Sequence, residues 1–200
     1  MNYFLLSPQD SRDVAVACAP VSAPPYFTLM EEMANCLKPP FDLMLKQVSF
    51  SKTGSVKSDD LSNLKRLWSD YQPNSFAWPL MSQKLRDIID YYASGEEQYE
   101  WLPINIHARK GDSRTYFVLR FNKSHDVLDL EHSVFHRFPD KPANLVKPVF
   151  SQQKIGRLCI FACSEVLWQL PTGIYVNYEV RDAAKCEGLE GLHFEKVRVL

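Results

Sequence analysis

The stretch 78–130 constrains the fold more than any other part of the chain, because it contains the clearest helix and the clearest pair of strands. Apolar side chains within 80–92 fall on one half of a helical wheel, which is typical of an amphipathic helix packed on a core. Ser82 can cap the first turn, and Gly95 can end the helix. We therefore predict a helix over 80–92 at the centre of the fold.

Two segments after this helix alternate apolar and polar side chains, as strands do. They are Trp101–His107 and Thr115–Phe121, and a turn at 110–113 joins them into a hairpin. Both faces of the hairpin are partly apolar, so we expect it to lie inside a larger sheet. Val127–Leu130 is predicted to add a third short strand.

The remaining C-terminal residues predict a further unit of strands and helices. Residues 138–148 contain three prolines and are interpreted as a loop. Gly188 and Gly191 stand where a turn between helix and strand needs positive φ. The predicted strands lie at 157–162, 174–176 and 192–199, and the predicted helices at 165–170 and 179–187.

The N-terminal residues are less regular and contain seven of the chain's 13 prolines. They predict a strand at 3–6, a hairpin partner of that strand or a helical turn at 14–18, a helix between Pro25 and Pro39, a strand at 41–50, and a surface loop at 51–77 with a short helix at 60–68.

The prediction is one α+β domain over 1–200 with a mixed, mainly antiparallel sheet and a few packed helices. It divides into an irregular proline-rich N-terminal lobe (1–77) and a helix-and-sheet core (78–200).

Charge and cysteine usage limit the partners and the compartment. The formal net charge is -1, which leaves no electrostatic footprint for nucleic acid or an anionic membrane. No segment approaches the roughly 18 apolar residues of a membrane helix, and the start lacks a signal-peptide pattern. The five cysteines are odd in number and scattered, which favours a reducing compartment. We expect a cytoplasmic protein.

No catalytic, metal or cofactor motif is present in the sequence. His132 and His136 would share a helix face, as metal ligands can, but the glutamate-centred zinc-helix pattern is absent and a surface role is favoured. Cys159 and Cys163 would lie about 13 Å apart along a strand, too far to share a metal. We therefore predict no metal, no cofactor and no catalytic residue.

Acidic loop residues and tryptophans are the candidates for contact with a partner. The adjacent acids point apart in regular structure, so they fit a solvated loop better than an acid/base pair. Aromatic side chains can anchor an interface, although filling the gap between lobe and sheet is the favoured alternative for them. The predicted partner-binding residues are Asp59, Asp60, Trp68, Trp78, Glu96 and Glu97.

The order of segments resembles a known bacterial family. It carries Val-Leu-Asp-Leu over 127–130 and closes with Gly-Leu-Glu-Gly-Leu-His-Phe over 188–194. Over about residues 42–197 the chain resembles immunity protein family eleven of polymorphic toxin systems, first described as a domain of unknown function. The matching positions look like core, so no functional residue is carried over from the family.

The resemblance implies a non-enzymatic protein that binds and neutralises a cognate toxin. Two alternatives remain open. One is an enzyme that uses His107, His132 or His136 as a base. The other is a structural or oligomerisation module, and a homodimer is possible.

Overall fold

A computed structural model of the protein describes residues 1–9, 11–51, 54–138, 141–163, 170–171 and 173–200. The helix predicted at 165–170 falls almost entirely outside these residues. The helices are α1 (Tyr26–Asn35), α2 (Gln83–Tyr92), α3 (Gln152–Ile155) and α4 (Tyr178–Cys186). No helix in these ranges is long and apolar enough to cross a membrane.

In the part of the chain that the structure describes, the strands outnumber the helices and form two main sheets and two small ones. In chain order they are β1 (Tyr3–Pro8), β2 (Val16–Cys18), β3 (Leu43–Ser51), β4 (Gly54–Ser58), β5 (Leu80–Met81), β6 (Tyr99–His107), β7 (Ser113–Phe121), β8 (Val134–Phe138), β9 (Lys141–Lys147), β10 (Val149–Phe150), β11 (Ile160–Ala162), β12 (Ile174–Asn177), β13 (Leu192–Lys196) and β14 (Arg198–Val199).

One main sheet has the order β2-β3-β6-β7-β5, and β4 pairs with the second half of β3, residues 47–51. The other has the order β11-β12-β1-β13, so the first strand of the chain lies between two of the last. Within the described residues, β3 pairs with β6 and β10 with β14 in parallel, and the other strand pairs are antiparallel. The predicted α+β class with mainly antiparallel sheets is confirmed.

The β6–β7 hairpin lies inside the larger sheet, as its two partly apolar faces predicted, and both of its faces contribute to the core. Leu102 and Val118 belong to a core cluster that also contains Leu29 of α1. Leu119 and Phe121 belong to a second cluster, which α2 and α4 share with the β1 sheet. The central hairpin therefore connects two of the core clusters.

Several predictions about strand pairing were wrong. Residues 16–18 form a strand, but β2 pairs with β3 and not with β1. Residues 127–130 form no strand and contribute only an isolated bridge from Leu128 to Phe150. Residues 60–68 form turns rather than a helix, since the Asp60 carboxylate accepts from the Ser62 amide 3.1 Å away and turns the chain.

Two hairpins were missed because exposed strands show little hydrophobic alternation. β4 is largely exposed and is held to β3 by backbone pairing. β8 and β9 pair with each other across the stretch interpreted as a loop, with a bulged register. The ends of two helices also differ from those predicted. Leu80 and Met81 form β5 rather than the start of α2, and Leu37 lies beyond the end of α1 with 86% of its surface exposed.

Candidate binding surface

Helix α2 has one buried face and one face open to solvent. Ser82 caps it, accepting from the Leu85 amide at 3.3 Å as its sequence position predicted. Leu85 and Ile89 are fully buried. The opposite face presents Asp87 and Tyr91, so an aromatic ring stands in solvent beside a carboxylate.

Helix α4 is built in the same way. Asn177 caps it, accepting from the Val180 amide at 3.0 Å. Val180 and Ala184 are fully buried against the β1 sheet and α2. Tyr178 and Asp182 are exposed on the outer side.

Asp70 fixes one end of the α2–α4 pair. Its carboxylate accepts from the Ser82 hydroxyl at 2.6 Å and from the Glu190 amide at 2.8 Å. Its own amide donates to the Glu190 carbonyl at 2.8 Å. The start of α2 is therefore held beside the turn that follows α4.

Cys159 fixes the other end of the pair. Its amide donates to the Glu97 carboxylate at 2.8 Å, just after α2. Its carbonyl accepts from the Asn177 amide at 2.9 Å, just before α4. We call these two sets of hydrogen bonds, made by Asp70 and by Cys159, the clamps of the helix pair. Together they hold the helices antiparallel and side by side.

A groove of about 790 Å³ lies between the two helices. Ile88, Ala183 and Leu189, all partly buried, provide apolar side chains in its wall. Tyr91 and Tyr178 line it with 79% and 39% of their surfaces exposed. The remaining lining residues are Lys84, Asp87, Tyr92, Glu179, Asp182, Cys186 and Glu187.

The charged side chains that line this groove are mostly acidic. Among the described residues, four carboxylates line it against one cation, Lys84. Asp182 pairs with Arg181 at 2.6 Å, and that arginine lies over the Phe4 ring rather than in the groove. The other three acids, Asp87, Glu179 and Glu187, make no ion pair within the described part of the chain.

The groove also contains the most accessible cysteine. Cys186 is exposed, whereas Cys36 is partly buried and Cys18, Cys159 and Cys163 are buried. Burial raises the pKa of Cys159, and it also raises that of Cys18. No disulfide joins any of the five cysteines.

Residues 3–199 match the family model described as the immunity protein family (Imm11). The chain belongs to the immunity protein family (Imm11). The match confirms the resemblance carried by 188–194 and extends it to the N-terminal residues that the resemblance had left out. No curated protein matches this Imm11 chain.

Two residues predicted to bind a partner are buried in this Imm11 protein. Trp78 is 1% exposed and packs against Phe76, with ring centres 4.6 Å apart. Glu97 is 1% exposed, and its carboxylate accepts from the amides of Ser94, Gly95 and Cys159. Burial acts to raise the pKa of Glu97, but these donors outweigh it and the pKa is lowered. Both residues are therefore removed from the candidate surface.

The other predicted residues lie at opposite ends of the central hairpin. Trp68 donates from Nε1 to Asp112 at 3.0 Å and carries Arg114 over its ring, so it packs on the β6–β7 turn. Asp59 pairs with Lys46 at 3.3 Å, on β3. Glu96 is exposed at the far end, where β6 begins, about 30 Å away along the nine residues of β6.

The three histidines considered as bases are all at the surface. His107 lies 3.0 Å from Asp42, and His132 lies 3.1 Å from Asp129. None of the three lines the groove. His132 and His136 do not share a helix, because residue 136 is on β8. Across the described ranges, no group of histidine, cysteine and acidic residues is placed to hold a metal.

One buried histidine was missed by the sequence pattern. His125 is 7% exposed, its ring meets Phe121 edge-on at 5.2 Å, and its Nε2 has no hydrogen-bond partner. Burial lowers the pKa of His125 from its ordinary value. No periodic pattern surrounds it, since it lies in the loop after β7, so nothing in the sequence distinguishes it from a surface histidine.

Proposed function

We propose that this protein is an immunity protein that binds a cognate bacterial toxin and holds it inactive. The observation that carries the proposal is the family match, which spans nearly the whole chain, 3–199. A match over one short segment would have left the role of the rest of the chain open. Here both main sheets and the α2–α4 pair lie within the matched region.

The proposed mechanism is occlusion of the toxin surface rather than catalysis. A stable complex of this kind covers roughly 800 Å² on each partner. Large, rigid aromatic side chains supply most of the binding energy in such interfaces, and polar rims exclude water. Exposed Tyr91 and Tyr178 suit the first role. Asp59, Asp60, Trp68 and Glu96 stay proposed as further contact residues.

The proposed place of action is the cytoplasm of the producing cell. The free thiols are in keeping with a reducing compartment. An inhibitor there meets a toxin that acts there, such as one that attacks nucleic acid or nucleotides. The immunity protein itself is proposed to bind neither nucleic acid nor membrane.

Co-expression with the toxin encoded beside its gene tests the proposal. We expect a sensitive bacterial strain to survive when both proteins are made and to die when the toxin is made alone. Size-exclusion chromatography with light scattering should then give a 1:1 complex. Death of the co-expressing strain, with both proteins soluble and no complex, would overturn the proposal.

An enzyme is the second candidate, because His107 lies 3.0 Å from the Asp42 carboxylate. A histidine that serves as a general base is often oriented by a carboxylate in this way. Titration of purified toxin separates the two functions. An immunity protein inhibits up to its molar equivalent, whereas an enzyme inactivates many equivalents with time. Turnover that is lost in His107→Ala would favour the enzyme.

A further inference from the structure

We propose that the α2–α4 groove is the docking surface for the toxin and that it receives a basic segment, a loop or helix end bearing lysine or arginine. This inference rests on the proposed function and adds the place and the chemistry of the contact. The partner chemistry follows from the charge of the groove, its exposed rings and its apolar wall.

Three of the four carboxylates of the groove lack cations of their own among the described residues. Asp87 projects from α2, while Glu179 and Glu187 lie at opposite ends of α4. Because none of these three is ion-paired within the described residues, a cationic segment gains partners without first breaking an existing pair. Lys84 alone opposes them in the lining.

The tyrosines and the apolar wall fit the rest of a basic side chain. Tyr91 meets Tyr92 edge-on at 5.0 Å and keeps 79% of its surface exposed, so a ring face is open to a cation. Long lysine and arginine stems pack on apolar surface while their charged ends reach polar groups. Ile88 and Leu189 offer that surface inside the groove.

Two other surfaces fit a basic segment less well. A second groove, of about 680 Å³, runs between 8–18 and β4, and its charged lining residues are Arg12 and Lys57. It would repel the same segment. In the loop that was predicted to bind a partner, Asp59 is already paired with Lys46.

Charge reversal in the groove, measured against the toxin encoded by the neighbouring gene in a catalytically inactive form, tests the inference. The variant Asp87→Lys with Glu187→Lys should weaken binding by about 100-fold, and Tyr91→Ala by about 10-fold. The loss from charge reversal should shrink as salt is raised, because salt screens exposed charges. Glu31→Lys with Glu32→Lys, at two exposed positions of α1, is the matched control and should bind within about twofold of the unmodified chain.

The exposed thiol reports where the toxin binds, in addition to how tightly it binds. Bound toxin should slow alkylation of Cys186, and Cys186→Ser confirms which thiol is modified. An oligolysine peptide at low ionic strength should slow the same reaction, whereas oligoglutamate should not. Thermal unfolding of every variant separates lost binding from lost fold.

The outcomes separate this inference from the function beneath it. If the unmodified chain binds the toxin and the groove variants bind equally well, the groove inference is wrong and the immunity function stands. If the unmodified chain does not bind, both are overturned. If raising the concentration of this chain alone protects Cys186, a second copy occupies the groove, and the basic-segment inference is overturned.

Discussion

The guanidinium of Arg120 lies 2.8 Å from the carboxylate of Glu100, directly opposite it on the neighbouring strand. Arg120 is 4% exposed and also donates to the carbonyls of Met33 and Cys36, at the end of α1. One buried cation therefore satisfies a carboxylate and two helix-end carbonyls. It joins the end of α1 to the central hairpin.

Replacing Arg120 should loosen α1. Arg120→Met leaves buried carbonyls without donors, so we expect the free energy of unfolding to fall by about 3–5 kcal/mol. Arg120→Lys should retain only part of the stability lost in Arg120→Met, since a lysine lacks the planar set of donors. Urea unfolding measures both, and hydrogen exchange should increase first in α1. Equal stability of Arg120→Met and the unmodified chain would contradict this role.

Gly191 should not tolerate a side chain. A Cβ there would lie 2.4 Å from the Ser69 Cβ, and its φ of +76° adds strain. We expect Gly191→Ala to lower the free energy of unfolding by about 3 kcal/mol. Gly188 has a similar φ of +63° with open space around it, so Gly188→Ala should cost only about 1 kcal/mol.

A second substitution can identify the cause of the Gly191 effect. Ser69→Gly removes the clashing Cβ, and the Ser69 hydroxyl is buried without a partner, so little else is lost. Combined with Gly191→Ala, it should therefore restore stability relative to Gly191→Ala alone. Additive losses in urea unfolding would show that the contact does not decide the cost.

Because of Glu97, the stability of the fold should fall with pH within a defined acidic range. The pKa of Glu97 is lowered in the folded chain, so its stabilisation is complete above the unfolded value of about 4.3 and is lost as pH falls through the folded value. Glu97→Gln should cost about 1–3 kcal/mol at neutral pH. The difference from the unmodified chain should narrow in denaturant titrations at lower pH, and a constant difference would contradict the prediction.

Titration of His125 should change the stability of the fold at higher pH than titration of Glu97 does. The folded pKa of His125 lies below the ordinary value, so the unfolded chain takes up the proton first. Stability should therefore fall as pH drops below about 6.5, and stop falling below the folded pKa. His125→Phe keeps a ring against Phe121 and cannot titrate. Its free energy of unfolding should be flat where that of the unmodified chain declines.

The sequence predicts elements whose side-chain period matches their burial. Leu85 and Ile89 of α2 are buried at helical spacing, and the hairpin of β6 and β7 was predicted to within a few residues. Exposed β4 offers no such match, because backbone pairing with β3 holds it in place. Periodicity reports which side chains meet a core, so strands without buried side chains remain hidden from it.

The candidate groove could not be predicted in the same way. Tyr91 and Tyr178 are far apart in sequence and line one groove only because Asp70 and Cys159 hold their helices together. Glu96 and Glu97 illustrate the same limit. They are chemically alike and adjacent, yet one is exposed and the other is buried among amides.

The contacts of Asp70 and Cys159 at the two ends of α2 and α4 would also determine the thermodynamics of the toxin binding that we propose for this groove. Since folding has already fixed the helix spacing, a partner meets a preorganised template, and association has little backbone entropy left to lose. The remaining cost is the ordering of side chains such as Tyr91, about 0.5–1.5 kcal/mol for each one immobilised. Related toxins should then differ in how long they stay bound more than in how fast they arrive.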